Sequence, residues 1–377
     1  MCSISTYINP EVMVMSFSLP VYIPPDFSSP AFSRAPIVTF KEVYSAGVAP
    51  EEYHATTIYP EYYQLSRGEW SVLKESRMDC VVVREKDKSL YVKTFRHLQP
   101  GDQVACGRRE NGEDGIFVHT DAFQYTNHSH EKFRFRSRPT RESAFSIDYD
   151  ELYGLLKYER EHGFTLWVLG PAVVFDRDAR RAFVRLVKKG YVHALFAGNA
   201  LATHDVEASL FGTALGQDLY TKQSARLGHY NHLDALNRVR AEGSVQNCVH
   251  KGLIENGVMK ALLEEQIPVV LSGSIRDDGP MPEVMGNVYD AQDKMRSIAR
   301  RATTVISMAT QLHSIATGNM VPSFTCSAEG RIRPVYFYVV DMSEFAVSKL
   351  TNRGSLTARS IITNVQDFIV IVERGLS

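Results

Sequence analysis

Beyond Phe145 the chain alternates short apolar runs with amphipathic stretches of helical length. The runs FTLWVLG (164–170), VHALFAG (192–198), IPVVLSGS (267–274), TTVISMA (303–309), PVYFYVVD (334–341) and DFIVIV (367–372) are mostly apolar on both faces. That is the pattern of parallel strands covered by helices on both sides. Between them, DARRAFVRLVKKG (178–190), NHLDALNRVRAEG (231–243) and MPEVMGNVYDAQDKMRSIARR (281–301) carry the period of surface helices, with Pro280 and Pro282 leading into the last. The strand–helix rhythm predicts an α/β fold, a doubly wound, mostly parallel, Rossmann-like sheet. Ahead of it, CVVVRE (80–85) and SLYVKTF (89–95), with a turn at QPGDQV, predict a smaller N-terminal β-rich domain. The expected organisation is an extension over 1–45 that packs on another element, a β-rich domain over 46–125 contributing to a substrate site, a polar linker over 126–145, and a nucleotide-binding α/β domain over 146–377.

Composition narrows the class by exclusion. The 377 residues are 44% hydrophobic and 23% charged, and 42 Lys plus Arg nearly balance 43 Asp plus Glu. No global field points to nucleic acid or to a membrane surface. Five cysteines, odd in number and without a CxxC pair, argue against a disulfide framework or a structural zinc site and for a reducing compartment. The N-terminal stretch lacks a basic region followed by an apolar core, and no run approaches a membrane span, so the chain reads as cytoplasmic.

In an open α/β sheet ligands bind beyond the carboxyl ends of the strands. Those tips share a chemistry here: Gly170-Pro171, Gly198-Asn199-Ala200, Gly273-Ser274-Ile275, Thr310 after Ala309, and Asp341. Glycine lets backbone N–H groups approach a pyrophosphate, a following helix N-terminus favours the anion, and an acidic strand tip accepts ribose hydroxyls. Each tip taken alone is equally explained as a turn, and Asp341 as a helix cap. No complete GxGxxG marks a strand-to-helix junction, and convergence over five strands is what points to a dinucleotide. His204, His229, His232 and His313 match no tight metal-ligand spacing, so no metal is expected; a histidine beside a nicotinamide can relay a proton. GxSxG and GxxxxGK[ST] are both absent, which removes support for hydrolase and nucleoside-triphosphatase readings.

The segments LGPAVVFD (169–176), LFAGNALATHDVEASLFGTALG (195–216), PVVLSGSIRDDGPMPEV (268–284), QLHSIATGNMVP (311–322) and VDMSEFAVSKLTNRGS (340–355) resemble the archaeal-type ornithine cyclodeaminases, which also form the C-terminal half of cyanobacterial bifunctional arginine dihydrolase/ornithine cyclodeaminases. The family was formerly grouped with lysine-ketoglutarate reductase and saccharopine dehydrogenase, and its nucleotide domain is similar to deoxyhypusine synthase. YHATTIYPEYYQL, GEW, MDCVVV and QPGDQVACG extend the likeness over roughly 48–377. The resemblance implies a tightly held NAD, hydride transfer from the Cα of ornithine, loss of ammonia, and return of the hydride to give proline. It implies the pyrophosphate near Gly170, Pro171, Gly198, Asn199, Ala200, Gly273, Ser274 and Ile275, with Thr310, His313 and Asn319 also on the cofactor and the adenosine ribose on Asp341. Asp205, Asp277 and Asp278 are candidates for the general base or an ammonium anchor, with His313 beside them. Arg276 either binds the substrate carboxylate or pairs with the neighbouring aspartates. Thr56, Thr57, Ile58, His229, Tyr230 and His232 are candidates for substrate contact. The resemblance further implies a small-molecule amino-acid substrate and a homo-oligomer, dimer or tetramer.

Departures from the family pattern fall in the substrate segments. The pattern has Asn where this chain has Ile58, Arg and His where it has Tyr230 and Asn231, and a Ser- and Glu-rich stretch where it has FRFRSRPTRES. They raise the alternative of an NAD-linked amino-acid dehydrogenase or imine reductase on another substrate, one whose negative charge Arg134, Arg136, Arg138 or Arg141 would meet. A non-catalytic NAD-binding protein is the third reading.

Overall fold

The computed structural model describes residues 17–124, 145–327, 329–342 and 355–377. Seven strands form one sheet: β1 (Thr165–Leu169), β2 (Ala194–Gly198), β3 (Val269–Ser272), β4 (Val284–Met285), β5 (Thr304–Met308), β6 (Tyr336–Asp341) and β7 (Thr357–Ile362). Their spatial order is β4-β3-β2-β1-β5-β6-β7 and every pairing is parallel. The chain winds outward one way from β1 and returns to start again at β5, which makes the β1–β5 boundary a topological switch point.

Alternation along the strands explains the layering. Trp167, Leu169, Leu195, Ala197, Ile306, Met308 and Val340 point to one face, where they pack with α1 (Phe145–His162), α2 (Arg177–Lys188), α3 (Asn199–Phe211), α4 (Asn231–Glu242), α5 (Val258–Glu264) and α8 (Val365–Gly375). Leu166, Val168, Phe196, Val305, Phe337 and Val339 point to the other, under α6 (Val288–Ala299) and the end of α7 (Gln311–Gly318). All five residues of β1 are buried, as expected of the central strand of a sheet covered on both faces.

Two elements differ from the sequence expectation. DFIVIV lies inside α8, not in a strand. Asn364 caps that helix by accepting from the N–H groups of Gln366 and Asp367, and Phe368, Ile369 and Val372 are buried while Ile371 is 41% exposed, a 3–4 spacing that a strand cannot produce. The last parallel strand is instead β7, whose TARSII sequence mixes Arg and Ser with apolar residues. The helix expected over 281–301 begins only at Val288, capped by Asn287; Pro280 and Pro282 precede the two-residue edge strand β4 rather than the helix.

The β-rich region is built from antiparallel pairs. Thr39–Glu42, Gln103–Cys106, Val81–Arg84 and Leu90–Lys93 form one sheet in that order, and Glu69–Val72, Glu61–Ser66 and Ile116–Val118 form another. The chain returns to this region after α7: Phe324–Cys326 pairs with Ile332–Pro334 and with Glu75–Ser76, and Phe324 and Ile332 enter the same core as Tyr63, Leu73 and Ile116. Val21–Tyr22 pairs with Phe123–Gln124. The arginine run Arg134 to Arg141 lies outside the described residues.

α8 is tied to α2 through Glu373, which accepts from Arg185 at 2.9 Å and Lys189 at 3.0 Å. Those cations hold its carboxyl down at about 2, against burial acting the other way. A depressed folded value stabilises above the unfolded value near 4.5 and is lost as pH falls toward 2. Glu373→Gln should therefore flatten the pH dependence of unfolding by denaturant between about pH 5 and pH 2, leaving the neutral-to-alkaline range unaltered in slope.

Candidate functional site

The carboxyl edge of the sheet is shaped by close backbone approaches. Gly170 follows β1 and donates its N–H to Met308 at 2.8 Å across the switch point, and a Cβ built on it would lie 1.8 Å from the Ala309 carbonyl oxygen. Its φ of −82° is ordinary, so crowding and not backbone conformation demands glycine here. Ala309, by contrast, sits in the left-handed region at φ 53°, a strained setting that turns the chain from β5 into α7. Gly198 ends β2, and a Cβ there would stand 3.1 Å from Cε1 of His313. Three strand tips thus converge with the first turn of α7.

His313 is held by Thr310, whose Oγ1 lies 3.2 Å from its Nδ1. Burial pushes the imidazole below its ordinary value, and the charge of Asp277 opposes that shift. Asp277 belongs to the turn after β3: its Oδ2 accepts from the N–H of Ser274 at 2.9 Å and its own N–H donates to the Ser274 carbonyl at 3.0 Å. The turn fixes a half-buried carboxylate opposite a neutral histidine. Ile275 and Arg276 are exposed on the same turn, as is Asp278. Arg276 makes no ion pair with Asp277 or Asp278 among the described residues, so the bracing alternative has no support in the geometry. Asn199 opens α3 and uses its side chain as a bridge, accepting from Met281 N–H at 3.0 Å and Thr203 Oγ1 at 3.2 Å; this pins the turn after β3 against α3. Pro171 begins the 3-10 turn Pro171–Val174, Ala200 lies in the first turn of α3, and Asp341 closes β6 on the same edge.

Among known families, residues 153–372 match the model described as arginine dihydrolase ArgZ-like, C-terminal, Rossmann fold. The chain belongs to the ArgZ-like C-terminal family. The ornithine cyclodeaminase of Methanopyrus kandleri is 38% identical over 333 residues, 86% of this chain and 74% of that protein. The bifunctional arginine dihydrolase/ornithine cyclodeaminase ArgZ of Synechocystis sp. is 32% identical over 349 residues, 90% of this chain but 46% of the longer protein. Among solved structures, a LOR/SDH protein from Methanococcus maripaludis S2 superposes with a TM-score of 0.80 at 31% identity, covering 90% of this chain and 98% of that one. The ternary complex of AgrE with ornithine and NAD+ superposes at 0.56 with 29% identity, covering 92% of this chain and 46% of AgrE.

Several expected site residues of this ArgZ-like chain lie elsewhere. Asp205 is fully buried in α3, where Oδ1 accepts from Arg180 Nε at 2.6 Å and from Val258 N–H at 3.0 Å, and Oδ2 accepts from Met259 N–H at 2.8 Å. It neutralises an interior arginine and caps α5, and with none of its surface exposed it is out of a substrate's reach, which corrects its expected role as base or ammonium anchor. Asn319 is displaced as well: it lies past the far end of α7, one helix length of about 12 Å from Thr310, with its carbonyl bonded to Arg77. Thr56, Thr57 and Ile58 are not on the strand-tip edge. Thr56 donates to the Arg77 carbonyl, Thr57 to Glu61 at 2.8 Å, and the Ile58 carbonyl accepts from Ser323 at 2.5 Å. His229 and Tyr230 are exposed and lie against each other, ring centres 4.3 Å apart.

His232 instead faces a buried pair that motif reading passed over. Its ring centre is 6.2 Å from that of His204, whose Nδ1 is 2.8 Å from Glu207. Glu207 also accepts from Thr213 and from the N–H groups of Leu215 and Gly216. Burial would raise its carboxyl, yet these donors hold it below the usual carboxylate range. The available signal was the i, i+3 spacing of His204 and Glu207 along one helix. A second such pair, His54 and Glu61 at 3.2 Å, is buried in the β-rich region; burial works against the imidazolium, but the carboxylate contact prevails and raises His54. Among the described residues no group of three or more His, Cys, Asp or Glu is placed to hold a metal, and no helix is long and apolar enough to cross a membrane.

Asp205→Ala tests the structural assignment. Stripping the carboxylate from buried Arg180 and two amides should lower unfolding free energy by about 3–5 kcal/mol, read by denaturant titration.

Proposed function

We propose that this protein is an NAD-dependent cyclodeaminase that converts ornithine, or a close amino-acid analogue, to the corresponding cyclic amino acid and ammonia. The observation that carries the reading is the β1–β5 switch point, where Gly170 meets Ala309 too closely for any side chain and Gly198 lies against His313, so that the strand tips and the first turn of α7 border one crevice. Relatives named ornithine cyclodeaminase and the AgrE complex with ornithine and NAD+ support the same chemistry.

NAD, when bound, would supply a reversible hydride acceptor for the substrate Cα, so that the reaction as a whole would consume no net oxidant. The protein's part is to bind, orient and move protons. The first turn of α3, at Gly198, Asn199 and Ala200, offers backbone N–H groups to a pyrophosphate, whereas those of Gly170, Gly273 and Ser274 are already engaged and Pro171 has none; Asp341 stands at a strand tip where ribose hydroxyls can be accepted. Asp277, fixed by its own turn, is placed to anchor the substrate ammonium, and neutral His313 to accept a proton from the amine before oxidation. Arg276 remains available for the substrate carboxylate.

Purified protein incubated with ornithine should release proline and ammonia in equal amounts with no accumulation of reduced nicotinamide absorbance. Stoichiometric NADH would support the dehydrogenase reading, which Ile58 and Tyr230 favour by their departure from the family pattern, and the absence of turnover with NAD still bound would remove ornithine as substrate. Because the depressed His313 must be neutral to accept a proton, kcat/KM should fall only at pH below the ordinary histidine value near 6.5, and His313→Gln should remove that acid limb while lowering kcat about 100-fold or more.

A further inference from the structure

A second concave site lies on the opposite face of the sheet from Asp205, between α6, the far end of α7 and the β-rich region. It is a cavity of about 240 Å³ lined in part by Arg77, Lys93, Thr94, Arg296, Arg300 and Met320. Its charges do not balance. Lys93 is answered by Asp102 at 2.6 Å, and Arg300 by Glu75. Arg77 and Arg296 have no carboxylate at ion-pair distance among the described residues: Arg77 donates to the Asn319 carbonyl, and Arg296 reaches Thr94 Oγ1 at 3.3 Å. The Nε of Arg296 is buried with no hydrogen-bond partner.

Two guanidiniums held near each other without a counter-charge are unfavourable by themselves. Burial, with Arg77 adding repulsion, pushes Arg296 down to about 10, an unusual setting for a side chain that otherwise stays charged. Buried donors are nearly always satisfied, so a guanidinium that lines a cavity with its Nε unpartnered is short of acceptors. An oxyanion bound between the two arginines would accept from the terminal nitrogens of both forks and cancel the repulsion. The cavity volume suits a group of a few heavy atoms rather than a dinucleotide. We infer that this cavity is an oxyanion site, receiving a carboxylate or phosphate group of a small metabolite. The cavity lies one helix length of about 12 Å from the strand-tip site, too far for the α-carboxylate of a substrate whose Cα meets the nicotinamide there, so the group belongs to a separate anionic ligand that acts through α7, whose first turn carries His313.

The full chain is titrated with inorganic phosphate and with malonate by calorimetry, and its Tm is followed in parallel. Wild-type protein should bind at least one of them and gain Tm, and Arg296→Met should weaken that binding about tenfold or more. In anion-free buffer the variant should hold or raise its Tm, because an uncompensated buried cation has been removed. A merely structural arginine would do the reverse: the variant would lose Tm without anion and keep the wild-type anion response, and that result overturns the inference, as does failure of wild-type protein to bind either anion at tens of millimolar. Malonate and ornithine should bind simultaneously, and displacement of ornithine by malonate would overturn the assignment to a separate ligand. The phosphate and malonate isotherms need no turnover, so their failure is distinct from a failure of the cyclodeaminase reading.

Discussion

The constraint on which the rest depends is the contact between the ends of β1 and β5. Parallel strands 5 Å apart, each turning away into helices on opposite faces, open a crevice only where the winding reverses. Here the reversal brings Gly170 so near Ala309 that no side chain fits, and the chain beyond β5 is forced through a left-handed alanine. The same geometry points the first turn of α7, with Thr310 and His313, at the tips of β2 and β3. A site assembled from four strands therefore hangs on one backbone-to-backbone approach.

Around it, buried charge is used as scaffolding. Arg180 with Asp205 locks α2, α3 and α5 together, and Glu159, fully buried in α1, accepts from Thr304 at 3.0 Å and from Arg333 and so ties α1 to the amino ends of β5 and β6. Such pairs add little net stability over well-packed apolar residues, but each is costly to break, which favours one arrangement of the helices. Against this background Arg77 and Arg296 stand out: among the described residues no carboxylate lies at ion-pair distance from either.

The β-rich region is joined to the sheet domain by polar contacts and by a shared core. Arg96 pairs with Asp293 and Arg300 with Glu75, while the Phe324–Pro334 hairpin crosses back to complete the small sheet that includes Glu75. α7 connects the two environments, running from the strand-tip site to the arginine cavity within about 12 Å. The segment Thr56–Ile58, expected to contact substrate, bonds to the Arg77 and Ser323 end of this connection and not to the strand tips.

Sequence alone determined the parts governed by local pattern. Five of the seven parallel strands, the helices α2 and α4, and the small residues at the strand tips follow from runs of apolar residues that must be covered on both faces and from glycine where backbones meet. The same reading mistook α8 for a strand, because a six-residue apolar run has no visible period until one knows that Ile371 faces water, and it missed β7, whose polar residues are tolerated at the sheet edge. The direction of individual side chains was decided only by tertiary structure. Asp205 and Asp277 are equivalent carboxylates in the sequence, yet packing turned one toward Arg180 and the end of α5 and left the other on a turn facing His313. The approach of Arg77 to Arg296, separated by more than two hundred residues in the chain, likewise required the sheet domain and the β-rich region to be docked. Periodicity constrains which face of an element is buried; which buried polar group meets which depends on distances between elements, and no local pattern encodes those.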